Sequence, residues 1–134
     1  MVLSDVAMVV THWLTGSDED FLASKKLQEA EFWGQSLFFL HLSLEKKIKS
    51  IIVSQTQEHA PFHHSLTYLI GKTNLVVSQK TIEQLTTMSE FNLSALYPDE
   101  KVRQQKLFTK EFVSYWSNIA EGTHQWLNQS LPKI

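Results

Sequence analysis

The stretch that decides the fold is EFWGQSLFFLHLSLEKKIKSIIVSQ, residues 31–55. Leu37, His41, Leu44, Ile48, Ile51 and Gln55 recur at steps of three and four, with Phe38, Glu45 and Ile52 beside them. That is the stripe of an amphipathic helix, not the alternation of a strand. Lys46 and Lys47 fall to the other side and read as its solvated face. At 1.5 Å per residue such a helix is about 37 Å long, the main strut of a bundle.

Outward from this strut the pattern stays helical. Val6, Val10, Trp13, Leu14, Ser17 and Phe21 share one face of an expected helix over 5–29, with Ser4 and Asp5 as candidate caps. Gly16 costs this helix about 1 kcal/mol relative to Ala, so packing must compensate. Pro61 interrupts 58–64, and a short helix is expected over 64–72. Ser78 stands where an N-cap belongs, and a fourth helix runs on through Leu85, Met88 and Leu93 until Pro98 stops it. The last helix, 106–131, carries Phe108, Phe112, Tyr115, Trp116, Ile119, Thr123, Trp126 and Leu127 on its apolar face. Leu75-Val76-Val77 is β-like but too short for a strand. Long helices with short connections make an all-α fold: an antiparallel four- to five-helix up-and-down bundle, one domain over 1–134.

Composition narrows function by exclusion. The formal net charge is -2, so no overall basic field draws in nucleic acid. Cysteine is absent, which removes disulfides and thiolate metal sites and fits a reducing compartment. The start of the chain lacks a basic segment and a long apolar one, and no run reaches the roughly 20 apolar residues of a membrane span. A cytoplasmic protein without membrane contact is expected.

Three groups of residues could carry chemistry. His41, Glu45 and Lys49 are spaced four apart along the edge of the strut, where their side chains stack. They form either an ordinary helix-boundary network or the charged rim of a groove. His59, His63 and His64 cluster around Pro61. The spacing of His59 and His63 suits a metal only on a helix, which Pro61 opposes, so no metal and no cofactor is expected. Asn92 and Asp99 bracket the third group, Phe91-Asn92-Leu93-Ser94-Ala95-Leu96-Tyr97-Pro98-Asp99, and could bind backbone donors at a helix end.

Together these segments resemble the HEPN family, named for a nucleotide-binding domain of higher eukaryotes and prokaryotes. Trp13 followed by Ser17-Asp18-Glu19-Asp20-Phe21 resembles its opening helix. His41-Leu42-Ser43-Leu44-Glu45-Lys46-Lys47-Ile48-Lys49 resembles its second-helix signature, and Pro61-Phe62-His63-His64-Ser65-Leu66 its Pro-x-x-His-x-Leu. Ala95-Leu96-Tyr97-Pro98-Asp99 resembles its Ala-Arg-Tyr-Pro-Asp block. The resemblance implies an antiparallel bundle that usually dimerises around a polar cleft. It also implies a small nucleotidyltransferase partner, in two-gene modules of the toxin–antitoxin kind.

Many members are metal-independent ribonucleases marked by Arg, four to six residues, then His. Here Leu96 replaces that arginine, and the sole arginine, Arg103, meets no histidine before His124. The reading that follows is a non-catalytic module. It binds a nucleotidyltransferase-type partner and a nucleotide or RNA, with His41, Glu45, Lys49 and His64 lining the cleft and Asn92, Tyr97 and Asp99 closing it. Lys49 would pair with phosphate or Glu45, and Tyr97 would offer a stacking face. The alternatives are a ribonuclease using His41 or His64 as acid–base with Lys49 on phosphate, and a purely structural bundle. Phe39 and Leu42, apolar but off the main stripe, favour a homodimer.

Overall fold

A computed structural model describes residues 1–92, 99, 103 and 106–131, the side chain of Leu3 aside. The described helices are α1 (Leu3–Glu29), α2 (Trp33–Thr56), α3 (Leu66–Ile70), α4 (Gln79–Ser89) and α5 (Lys110–Asn128). No strand occurs among the described residues, and Leu75-Val76-Val77 lies in an irregular connection.

Side-chain contacts give the directions of the helices. Ser17 bonds to Ser43 and Ser24 to Ser36, so α1 and α2 run antiparallel. Lys25 reaches Ser117 while Phe21 meets His124, so α1 and α5 are antiparallel too. Ser43 meets His124 and Lys47 meets Asn128, both pairs 81 residues apart, so α2 and α5 point the same way. α4 opposes α5: Phe91, just past the end of α4, packs on Phe112 and Trp116 near the start of α5. The long helices therefore alternate in direction, as the sequence predicts, with short α3 inserted before α4.

The core forms around α2. Leu37, Leu40, Leu44, Ile48 and Ile51 are wholly buried, each stabilising the fold by about 1.5–3 kcal/mol relative to exposure. Leu66, Leu69, Leu85, Met88, Val113, Ala120 and Leu127 fill the space opposite. α2 has no solvated face of the expected width. α1 and α5 flank it, so Lys47 is only 5% exposed and donates to Asn128 at 2.6 Å. Lys46 turns the other way, to Asp20 on α1 at 2.7 Å.

Serines set the approach of α1 to α2. Ser36, Ser43 and Ser50 recur every seven residues on α2, opposite Ser17 and Ser24 on α1. The α2 hydroxyls bond back to carbonyls three residues earlier, at 2.6–2.7 Å. The α1 hydroxyls cross to α2 carbonyls, both at 2.7 Å. Every donor is satisfied without long side chains to hold the helices apart. Gly16 belongs to the same seam: a Cβ there would lie 3.0 Å from Cδ of Lys46, whose stem crosses it on the way to Asp20.

The helix ends differ from the sequence reading. Ser4 and Asp5 lie inside α1, whose N-cap is Val2 with no side-chain bond, and Asp5 instead faces the positive helix terminus. Ser65 caps α3, accepting from the Tyr68 amide, and α3 has only five residues, within the expected 64–72. Ser78 caps α4 as expected. That helix stops at Ser89, because the chain turns inward to bury Phe91 at 4% exposure. Thr109 caps α5, so Phe108 precedes the helix and packs on Phe112 from outside it.

Gly122 on α5 borders a groove of about 320 Å³ between α4 and α5, and a Cβ added there meets nothing within 4 Å. Gly122→Ala is expected to raise stability by about 1 kcal/mol, from helix propensity alone. A thermal melt unchanged or lowered by this substitution would contradict that.

Candidate functional site

Four of the expected site residues come together where α2 meets the loop before α3. Glu45 is the hub. Its Oε2 accepts from Nζ of Lys49 at 3.1 Å, one helical turn on. Its Oε1 accepts from Nδ1 of His64 at 3.0 Å, and Nε2 of His41 lies 3.9 Å from that same oxygen. His41 donates through Nε2 to the His64 carbonyl at 2.7 Å. One loop residue is thus held to α2 by both its side chain and its backbone. Pro61 before it restricts the loop, and Gln57 in the left-handed region (φ 61°) turns the chain out of α2.

Burial divides this group into an inner and an outer part. His41 is 0% exposed, and Glu45 and Lys49 are 4% each, whereas the His64 side chain is 53% exposed. The Lys49 ammonium also sits 5.3 Å from the centre of the Trp13 ring, a cation–π contact across from α1. Its charge is therefore answered by Glu45 and an aromatic face rather than by solvent.

His41 is neutral for a structural reason. Its Nε2 carries the proton it donates, which leaves Nδ1 a bare acceptor, and that atom is buried without a partner. Protonation would put a second N–H where nothing receives it. Burial accordingly pushes its pKa down, against smaller opposing effects of the His64 backbone bond and Glu45. His64 is arranged the other way. With Nδ1–H donated to Glu45, its Nε2 is the ring atom left for an incoming group.

The other candidate residues are spread out. Asn92 is half-buried just beyond α4. Asp99 pairs with Arg103 at 3.4 Å, and both are more than 70% exposed. Tyr97 and Leu96 lie outside the described residues. His59 is exposed. His63 accepts from the Ser65 amide and stacks on Tyr68 with ring centres 4.0 Å apart. Among the described residues no group of three or more His, Asp or Glu side chains could hold a metal ion. Among them, too, no helix is long and apolar enough to cross a membrane.

A second polar cluster escapes the sequence reading. His124 on α5 is 8% exposed and contacts Ser43 Oγ at 2.9 Å. That hydroxyl's proton goes to the Leu40 carbonyl, so the imidazole Nε2 must be the donor. Burial, then the nearby Lys47 ammonium, push the His124 pKa down to about 3. Burial also lowers the Lys47 pKa. The spacing of Ser117, Ala120, His124 and Leu127 on one helical face is the signal that could have marked His124 as interior.

Among curated proteins, none matches this chain. Among solved structures, TT1696 from Thermus thermophilus superposes with a TM-score of 0.78 at 13% identity, over 91% of this chain and 98% of that one. At that identity the likeness is one of fold. The sequence itself goes further: residues 10–130 match the HEPN domain model, and the chain belongs to the HEPN domain family.

Proposed function

We propose that the protein is a non-catalytic HEPN-type module. It acts as a cytoplasmic homodimer that binds a nucleotidyltransferase-type partner and, beside His64, a nucleotide or RNA. The observation that carries the non-catalytic part is the burial of His41, with its one N–H already bonded to the His64 carbonyl. Cleaving a phosphodiester needs a base, an acid and a cation for the charge that develops on phosphate. Lys49 is neutralised by Glu45, and His64 alone reaches the surface. Losing one charge-stabilising donor typically costs about 100- to 1000-fold in rate.

One arrangement favours a second reading, a metal-independent ribonuclease. Glu45 fixes His64 through Nδ1 and leaves Nε2 outward, as a carboxylate orients a catalytic imidazole. Cleavage of a fluorescent single-stranded RNA in chelator separates the two. The expected result is no turnover above background for the wild type. Robust cleavage that disappears in His64→Ala would replace the first reading with the second. Light scattering tests the dimer, since a mass near 15.5 kDa at micromolar concentration would remove it.

A further inference from the structure

Phe62 is 94% exposed, yet it stands in an ordered loop immediately beside His64. Its ring meets the His64 imidazole edge to face, with centres 5.7 Å apart and planes at 65°. Pro61 precedes it, and the loop is held to α2 through both groups of His64, so the ring is displayed by fixed backbone.

The surroundings of Phe62 select its occupant. Glu58, His59 and His63 are all exposed, and none provides the contiguous apolar area that a protein helix would need for docking. The loop offers the His64 imidazole instead, whose Nδ1 is held by Glu45. A lone exposed ring beside an imidazole whose Nε2 is open suits a flat, polar ring, which gains from stacking and from an edge hydrogen bond.

We propose that Phe62 is the stacking face for a nucleobase, and that Nε2 of His64 bonds to the edge of that base or to its sugar. The ligand is then recognised by its base and not by phosphate alone, either as a free nucleotide or as an unpaired base of RNA. This rests on the nucleotide-binding reading above and adds a residue and a ligand class to it. A fixed ring loses little freedom on binding, so the stacking contact is retained in the affinity.

The test is calorimetric titration of the full chain with AMP, ribose 5-phosphate, inorganic phosphate and a short single-stranded oligoadenylate. Wild type, Phe62→Ala, Phe62→Trp and His64→Ala are compared, and thermal melts check that each variant is folded. The expected result is binding of AMP, the oligonucleotide or both, with ribose 5-phosphate at least about fivefold weaker. Phe62→Ala should weaken the base-bearing ligands by about 5- to 150-fold, and Phe62→Trp should retain them. Binding of the oligonucleotide but not of AMP supports the proposal and assigns the base to RNA. Equal binding of AMP and ribose 5-phosphate, unaltered in Phe62→Ala but lost in His64→Ala, would overturn the stacking role while leaving a phosphate site at His64. Failure of every probe to bind the wild type would remove the stacking role and the nucleotide reading together.

Discussion

Acidification from pH 7.5 to pH 5 is expected to lower the stability of the fold by about 2 kcal/mol through His124 alone. Its pKa is about 3 in the folded chain, against 6.5 for an unperturbed histidine. The unfolded chain therefore takes up the proton first. Stability from keeping His124 neutral is full above pH 6.5 and falls by about 1.4 kcal/mol per pH unit below it, until the folded pKa is reached. His41 is also depressed by burial and acts in the same direction. The loss is large against the roughly 5–15 kcal/mol that holds a domain folded. Urea titrations at several pH values measure it directly. His124→Gln keeps an amide donor for Ser43 but cannot titrate, so its stability curve should be shallower by close to one proton. Parallel curves for the two proteins would show that His124 gains its proton without unfolding cost.

Glu45→Ala should cost about 3–5 kcal/mol, because it leaves the buried Lys49 ammonium without its counter-charge. It also frees His64 and loosens the loop that His64 ties down. The double variant Glu45→Leu with Lys49→Met should recover most of the loss, since an apolar pair of similar volume needs no compensation. Thermal melts of the wild type, Glu45→Leu, Lys49→Met and the double variant form a cycle. If Glu45→Ala alone lies within about 1 kcal/mol of wild type, Lys49 regains water easily and the network is a surface feature in energetic terms.

The helices were legible in the sequence because burial repeats with the turn of the helix, and α2 shows this most plainly. What could not be read was which neighbours surround α2. Lys46 and Lys47 look solvated on a helical projection, yet each is claimed by a different helix, through Asp20 and Asn128. Helix ends were misjudged where the helices were carried on into the connection between α4 and α5, which is apolar as well. Phe91 and Phe108 are both core, but they enter it from the connection between α4 and α5 and not from helical positions. In the candidate site the fourfold spacing of His41, Glu45 and Lys49 was visible, while the partners that decide their state were not. Trp13 lies on another helix, and the His64 carbonyl belongs to a loop. No periodicity within α2 can point to either.

The seven-residue recurrence of serine has a mechanical consequence. Two hydroxyls on α1, one of them at Ser17 and the other two helical turns away at Ser24, grip carbonyls of α2. Sliding α1 along α2 by one turn would break both grips at once and drive the Lys46 stem off Gly16. Small displacements are therefore resisted at three points spread along the pair, and intermediate positions gain nothing. The first two helices should behave as a clamped rail, with one resting position. Any rearrangement would then fall to the elements beyond Thr56, which are tied to the rail through His64, Ser117, His124 and Asn128.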